Sequence, residues 1–215
     1  MVTVHTLPSY LVQRYHGWHA TSYQADQAWF RRLAEQGQHP RAMLVSCSDS
    51  RIHLNSIFGA DEGEFFIHRN IAGLIPPYET AGAQHGTSAA IEFGVKDLGV
   101  AHLLIVAHKG CGGVNGCLNM WGERAHEDKG EFSFVSRWME ILRPGYERVA
   151  DLPEEEIHRA LEEQAVLISL ENLMTFPFVR DEVERGVLTL HGLRIDTGEG
   201  ILTQYDPETK QFVPV

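Results

Sequence analysis

Three side chains with metal-binding chemistry stand at the ends of two apolar runs. Ala42-Met43-Leu44-Val45 leads through Ser46 into Cys47, while Leu103-Leu104-Ile105-Val106-Ala107 leads into His108, with Cys111 three residues on. A Cys2His set with a fourth position open is the pattern of a catalytic rather than a structural zinc. Taken singly, each of the three is equally well read as a buried cysteine or a core histidine. Their joint placement beside Gly110, Gly112 and Gly113 favours a metal, one Zn2+ per chain. Asp49 and Arg51 follow Cys47 at alternate positions, so on an extended chain they point the same way. A guanidinium there can hold the carboxylate bidentately and keep it ionised, leaving Asp49 to accept a hydrogen bond from a zinc-bound water. The plainer reading of that pair is a surface ion pair of little consequence. Zinc brings the pKa of a bound water to about 7 and so yields hydroxide. Two thiolates offset the ion's charge, so this water is expected to be less acidified than one under three neutral imidazoles.

The elements needed to position these residues are legible around them. Apolar spacing predicts two amphipathic helices over 9–20 and 22–36, with Thr21-Ser22 as capping candidates between them. A first strand is expected over 42–47, a short helix at 54–58 and a second strand over 63–68. A helix capped within 86–88 runs to Leu98, where Gly99 stops it, and a third strand over 102–107 delivers His108. A long helix from Pro153 to about Met174 places Ile157, Leu161, Val166 and Leu170 inward, with Glu154, Glu155 and Glu156 complementing its dipole. A short helix from Pro177 to Arg185 and two strands over 187–196 and 200–205 complete the chain. Strand, helix and strand in this order imply parallel pairing, which gathers ligands at the strands' carboxyl ends. The expected fold is therefore α/β: a mostly parallel central sheet flanked by helices, with an N-terminal helical arm and a C-terminal strand pair. Residues 118–150 read as helical excursions without a legible role.

With 215 residues and 43% hydrophobic content the chain fits a single domain, 1–215, whose residues 1–37 form the arm. A formal charge of −11 without a Lys/Arg cluster argues against nucleic acid or an anionic membrane as partner. No apolar run approaches the roughly 20 residues of a spanning helix. Three unevenly placed cysteines and no legible secretory signal point to a reducing, cytoplasmic setting.

Cys47, Asp49 and Arg51, followed by His108, Cys111, Gly112 and Gly113, resemble the signature of the β-class carbonic anhydrases, and the similarity extends over roughly residues 30 to 206. The resemblance implies that Cys47, His108 and Cys111 bind zinc, that Asp49 and Arg51 form a catalytic dyad, and that carbon dioxide is reversibly hydrated to bicarbonate. It also implies a homodimer or higher homo-oligomer whose N-terminal helices wrap a partner subunit. Finer features resemble the plant-type subclass: Gln38 matches a glutamine that hydrogen-bonds substrate, and Phe66, Ile71 and Phe93 match an apolar carbon dioxide pocket. Leu44 and Ile195 stand where a bicarbonate-inhibited subclass carries Trp and Tyr, so an inhibitory site is not expected. Two departures from the family pattern are Ala107 before the histidine and Lys109 after it.

Other functions share parts of this pattern. A metal hydroxide would attack carbon disulfide or carbonyl sulfide in the same way, and a non-catalytic zinc or bicarbonate sensor would keep the ligands but not need the dyad. A thiol redox protein would be expected to carry a C-x-x-C pair, which this sequence lacks.

Overall fold

The computed structural model describes residues 2–81, 85–121 and 134–215. Backbone contacts divide the chain into two compact units, Met1–His39 and Pro40–Val215.

In the first unit, α1 (Ser9–Trp18) passes through a π-helical turn (His19–Tyr23) and then into α2 (Gln27–Gln36). The break expected at Thr21-Ser22 is not a cap. Thr21 Oγ1 instead donates to the Gly17 carbonyl at 2.8 Å, the back-bond by which a hydroxyl competes with helical pairing. Trp18 meets Phe30 edge-on at 5.7 Å and Tyr23 at 5.5 Å, so aromatic contacts tie the helices together.

The second unit is built on a six-stranded sheet in the order β2-β1-β3-β4-β5-β6. Its strands are β1 (Ala42–Cys47), β2 (Phe65–Asn70), β3 (His102–His108), β4 (Thr189–Asp196), β5 (Ile201–Asp206) and β6 (Gln211–Pro214). The first four pair in parallel, and β4, β5 and β6 are antiparallel. Every residue of β1 is buried, as expected of an interior parallel strand covered on both faces. Successive side chains of β1 enter opposite cores: Met43 and Val45 join Leu103, Ile105 and Phe176, whereas Ala42 and Leu44 join Val106, Leu193 and Ile195.

Helices connect and cover these strands. α3 (Leu54–Phe58) joins β1 to β2, and α4 (Gly86–Glu92), continued by a π-helical turn through Asp97, precedes β3. α5 (Gly112–Trp121) leaves the end of β3, followed by α6 (Phe134–Met139), α7 (Arg143–Val149), α8 (Glu154–Leu173) and α9 (Pro177–Glu184). Leu161, Ala165, Val166, Ile168 and Leu173 form the buried stripe of α8. At Gly192 the sheet approaches α8 so closely that a Cβ would lie 2.6 Å from Val166 Cγ1. The fold is mixed α/β with a mostly parallel central sheet, and the expected C-terminal strand pair is extended by β6.

Register fixes where the chemistry lies. Cys47 pairs with Asn70 on one side, and Ser46 pairs with Val106 on the other. His108 therefore emerges just beyond Cys47 at the same carboxyl edge.

Candidate metal centre

Cys47 comes from the last residue of β1, His108 from the last of β3, and Cys111 from the loop that starts α5. One ligand atom from each gathers into a set in which all lie within 4.8 Å of one another, and all three residues are buried. The sulfurs are 3.8 Å apart and both cysteines are free. That separation is far beyond the roughly 2.05 Å of a disulfide. It equals the edge of a tetrahedron with Zn–S bonds of about 2.3 Å, which is also about 3.8 Å. His108 Nδ1 lies 3.0 Å from the Lys109 carbonyl, which accepts its proton and leaves the lone pair on Nε2. Nε2 is buried without a hydrogen-bond partner among the described residues. An orphaned imidazole nitrogen facing two thiols is the donor set zinc requires, so these residues fit the ion.

Backbone amides prepare the sulfurs as thiolates. Cys47 receives N–H bonds from Asp49 and Ala72, and Cys111 from Gly113 and Val114. The hydrogen bond between the two sulfurs lowers the pKa of Cys47 and raises that of Cys111, because the proton of one stabilises the thiolate of the other. Ala72 reaches Cys47 from a turn with φ 62°, a region costly for a residue bearing Cβ. Beside it Gly73, φ 64°, passes so near that a Cβ would lie 3.0 Å from the Cys47 nitrogen. The turn is clamped by Asn70, whose side chain donates to the Leu74 carbonyl at 2.8 Å and accepts from the Leu74 N–H at 2.9 Å.

Asp49 and Arg51 form a bidentate pair, Nε to Oδ1 at 2.9 Å and Nη2 to Oδ2 at 2.7 Å, with the Arg51 N–H also donating to Oδ1 at 2.9 Å. Arg51 holds the carboxyl well below the usual carboxylate range. Asp49 Oδ2 stands 3.9 Å from His108 Nε2, so the ionised oxygen borders the ligand cluster. Arg51 Nη2 also donates to the Gly110 carbonyl at 3.0 Å, linking the dyad to the ligand loop. Arg69 fixes the other side by donating to the Cys47 and Asp49 carbonyls at 3.0 and 2.6 Å.

Next to the cluster, Ser48 lines a cavity of about 700 Å³ together with His68, Asn70, Ile71 and Trp138. Ile71, 41% exposed, forms part of its apolar wall, and its carbonyl accepts Trp138 Nε1 at 2.8 Å. Phe66 and Phe93 pack against each other with centroids 5.7 Å apart, and Phe66 lies on the same face of β2 as His68 and Asn70. Gln38 belongs to the first unit and is exposed. Lys109, a departure from the family pattern, places its ammonium 2.6 Å from Asp196. Cys117 is fully buried and its thiol is pushed up to about 12 by that burial, which makes it inert.

Sequence reasoning missed Arg69, Asn70 and Glu162. Glu162 is 2% exposed and bonds the Gly110 N–H and Arg194. A signal existed: Glu162 falls on the helical stripe of Ala165, Val166 and Ser169, where an unpaired carboxylate is not tolerated.

A mostly parallel sheet with two thiols and an imidazole converging at its carboxyl edge makes this an α/β protein whose Cys47, His108 and Cys111 could hold one soft-ligated cation beside a carboxylate. Residues 42–202 match the family model described as carbonic anhydrase. The chain is 31% identical over 185 residues to beta carbonic anhydrase 5, chloroplastic, of Arabidopsis thaliana, covering 84% of this chain but 58% of that relative. The solved structure of the β-carbonic anhydrase CcaA superposes with a TM-score of 0.86 at 27% identity, covering 96% of this chain and 98% of that one. A tetrameric β-carbonic anhydrase of the ascomycete Sordaria macrospora gives 0.77 at 28%, covering 91% and 95%. The chain belongs to the β-class carbonic anhydrase family.

Proposed function

We propose that this protein reversibly hydrates carbon dioxide to bicarbonate and a proton, using one zinc ion per chain held by Cys47, His108 and Cys111. The observation that carries the reading is the three buried ligand atoms within 4.8 Å of one another, bordered by the bidentate Asp49–Arg51 pair. Bound zinc supplies a nucleophile at neutral pH by lowering the pKa of a coordinated water to about 7. Asp49, with Arg51 on both its oxygens, stays ionised and acceptor-only. It therefore selects a donor, the hydrogen of water or of the bicarbonate hydroxyl, and orients that group toward the reacting carbon. Ile71 offers apolar surface to a linear uncharged substrate, and Phe66 and Phe93 are the further apolar side chains assigned to that role.

The functional unit is a single β-carbonic-anhydrase domain whose residues 1–37 act as a dimerising arm, assembled as a homodimer or higher homo-oligomer. No helix among the described residues is long and apolar enough to cross a membrane. Three free cysteines suit a reducing compartment such as the cytoplasm. Stopped-flow hydration of carbon dioxide, paired with elemental analysis, tests the reading. Turnover that tracks zinc content is expected, and a zinc-loaded protein without hydration activity would overturn it.

A further inference from the structure

The loop between His108 and Cys111 carries no side chain at Gly110, yet its peptide is held from both sides. The Gly110 N–H donates to Glu162 Oε1 at 2.6 Å, and the Gly110 carbonyl accepts Arg51 Nη2 at 3.0 Å. Gly110 has φ 66°, a left-handed conformation that glycine adopts at little cost, so the peptide can present both polar groups at once. Behind it, Glu162 Oε2 accepts Arg194 Nε at 2.8 Å and Nη2 at 2.7 Å. Glu162 is 2% exposed and Arg194 7%, so α8, β4 and the loop meet in an ion pair shielded from water. The adjoining Lys109 N–H donates to the Ile195 carbonyl at 2.9 Å, pinning the loop to the same strand end.

These contacts form one connected path: Arg194 to Glu162, Glu162 to the Gly110 peptide, Gly110 to Arg51, and Arg51 to both oxygens of Asp49. A buried ion pair is weak evidence for stability, because the desolvation it requires is comparable to its attraction. Its second carboxylate oxygen, however, is spent on a backbone amide beside the ligand cluster. We propose that Glu162 is a positioning residue, which sets the Gly110 peptide so that its carbonyl holds Arg51 on Asp49. This rests on the hydration reading for its consequence in turnover, but not for its effect on the loop.

Two double variants separate that role from a merely structural one. Glu162→Leu with Arg194→Met removes the ion pair and the acceptor for Gly110, and replacing buried ion pairs by apolar chains is often tolerated. Glu162→Gln with Arg194→Met also removes the ion pair but keeps an amide oxygen for Gly110. The readouts are zinc per chain, kcat and KM for hydration, and hydrogen exchange of the Gly110 amide. The leucine variant is expected to retain zinc, to lose kcat by about tenfold or more with KM nearly unchanged, and to exchange Gly110 faster; the glutamine variant should recover both. Turnover of the leucine variant within about threefold of wild type, or equal loss in both variants, would overturn the proposal, since losses at such supporting positions run to about 10–100-fold. If the wild type itself did not hydrate carbon dioxide, the hydration reading would fail, and equal exchange of Gly110 in both variants would then refute the positioning role separately. Should the leucine variant not fold, Glu162→Met with Arg194→Leu refills the same space and is read the same way.

Discussion

Arg51 does more in this site than neutralise a carboxylate, because it touches Asp49 through two side-chain bonds and reaches the ligand loop with a third. Arg51→Ala should leave zinc bound while lowering kcat by about 10–100-fold, the usual range for groups that orient a metal site's surroundings. Near-normal turnover in that variant would remove the dyad from the mechanism. Cys47→Ser should instead lose zinc, read by elemental analysis, because it exchanges a thiolate for a hydroxyl that does not ionise at neutral pH. The pH dependence follows from the same pair. Asp49 is held below its ordinary range, so it stays ionised above about pH 4, the unperturbed carboxylate value. Its contribution to stability is accordingly present above that value and is lost as pH falls below it. It adds no second titration near neutrality, so turnover should rise with pH along a single proton-loss curve centred near 7 or somewhat above. A steep, cooperative loss below about pH 8 would show that Asp49 leaves Arg51 for the metal, an outcome placed by the same water pKa.

At the scale of elements, much of the scaffold was written in apolar spacing. β1, β3, α8 and α9 fall within a few residues of where their patterns put them, because a buried parallel strand must be continuously apolar. The convergence of Cys47, His108 and Cys111 was legible because strand ends with soft donors and glycines are unusual. β6 was not, since Gln211 to Pro214 is four residues long and ends in a proline that an edge strand accommodates. Glu162 escaped notice because the segment from Glu154 to Glu163 carries five glutamates, and burial of one depends on partners in β4 and the ligand loop. Nor does spacing disclose why Gly192 stands in β4. The structure does, through its contact with Val166 and Leu170 of α8. Gly192→Ala should therefore destabilise the second unit by about 1–3 kcal/mol, the usual cost of overpacking. Chemical denaturation measures it, and an unchanged midpoint would mean that α8 shifts freely over the sheet.

At the scale of the whole molecule, the first unit presents an apolar surface. None of the residues in α1, its π-helical turn or α2 is buried, and Tyr10, Tyr15 and Trp18 are 59%, 54% and 41% exposed. Ring contacts among Tyr15, Trp18, Tyr23 and Phe30 gather these side chains into one aromatic patch. Contiguous exposed apolar surface of this kind marks an interaction site. With a formal charge of −11, two copies repel at long range, so association between them must draw on apolar contact and not on charge attraction. Salt distinguishes the two: at about 0.1 M the Debye length is about 10 Å, and added salt screens repulsion without weakening apolar burial. Light scattering at micromolar protein should give a mass at least twice the 24.2 kDa of one chain, held or increased as salt is raised. Tyr15→Glu with Trp18→Glu should shift the mass downward by adding charge to the patch. A monomer mass for the unsubstituted protein, or dissociation on raising salt, would show that this surface does not join copies of the chain.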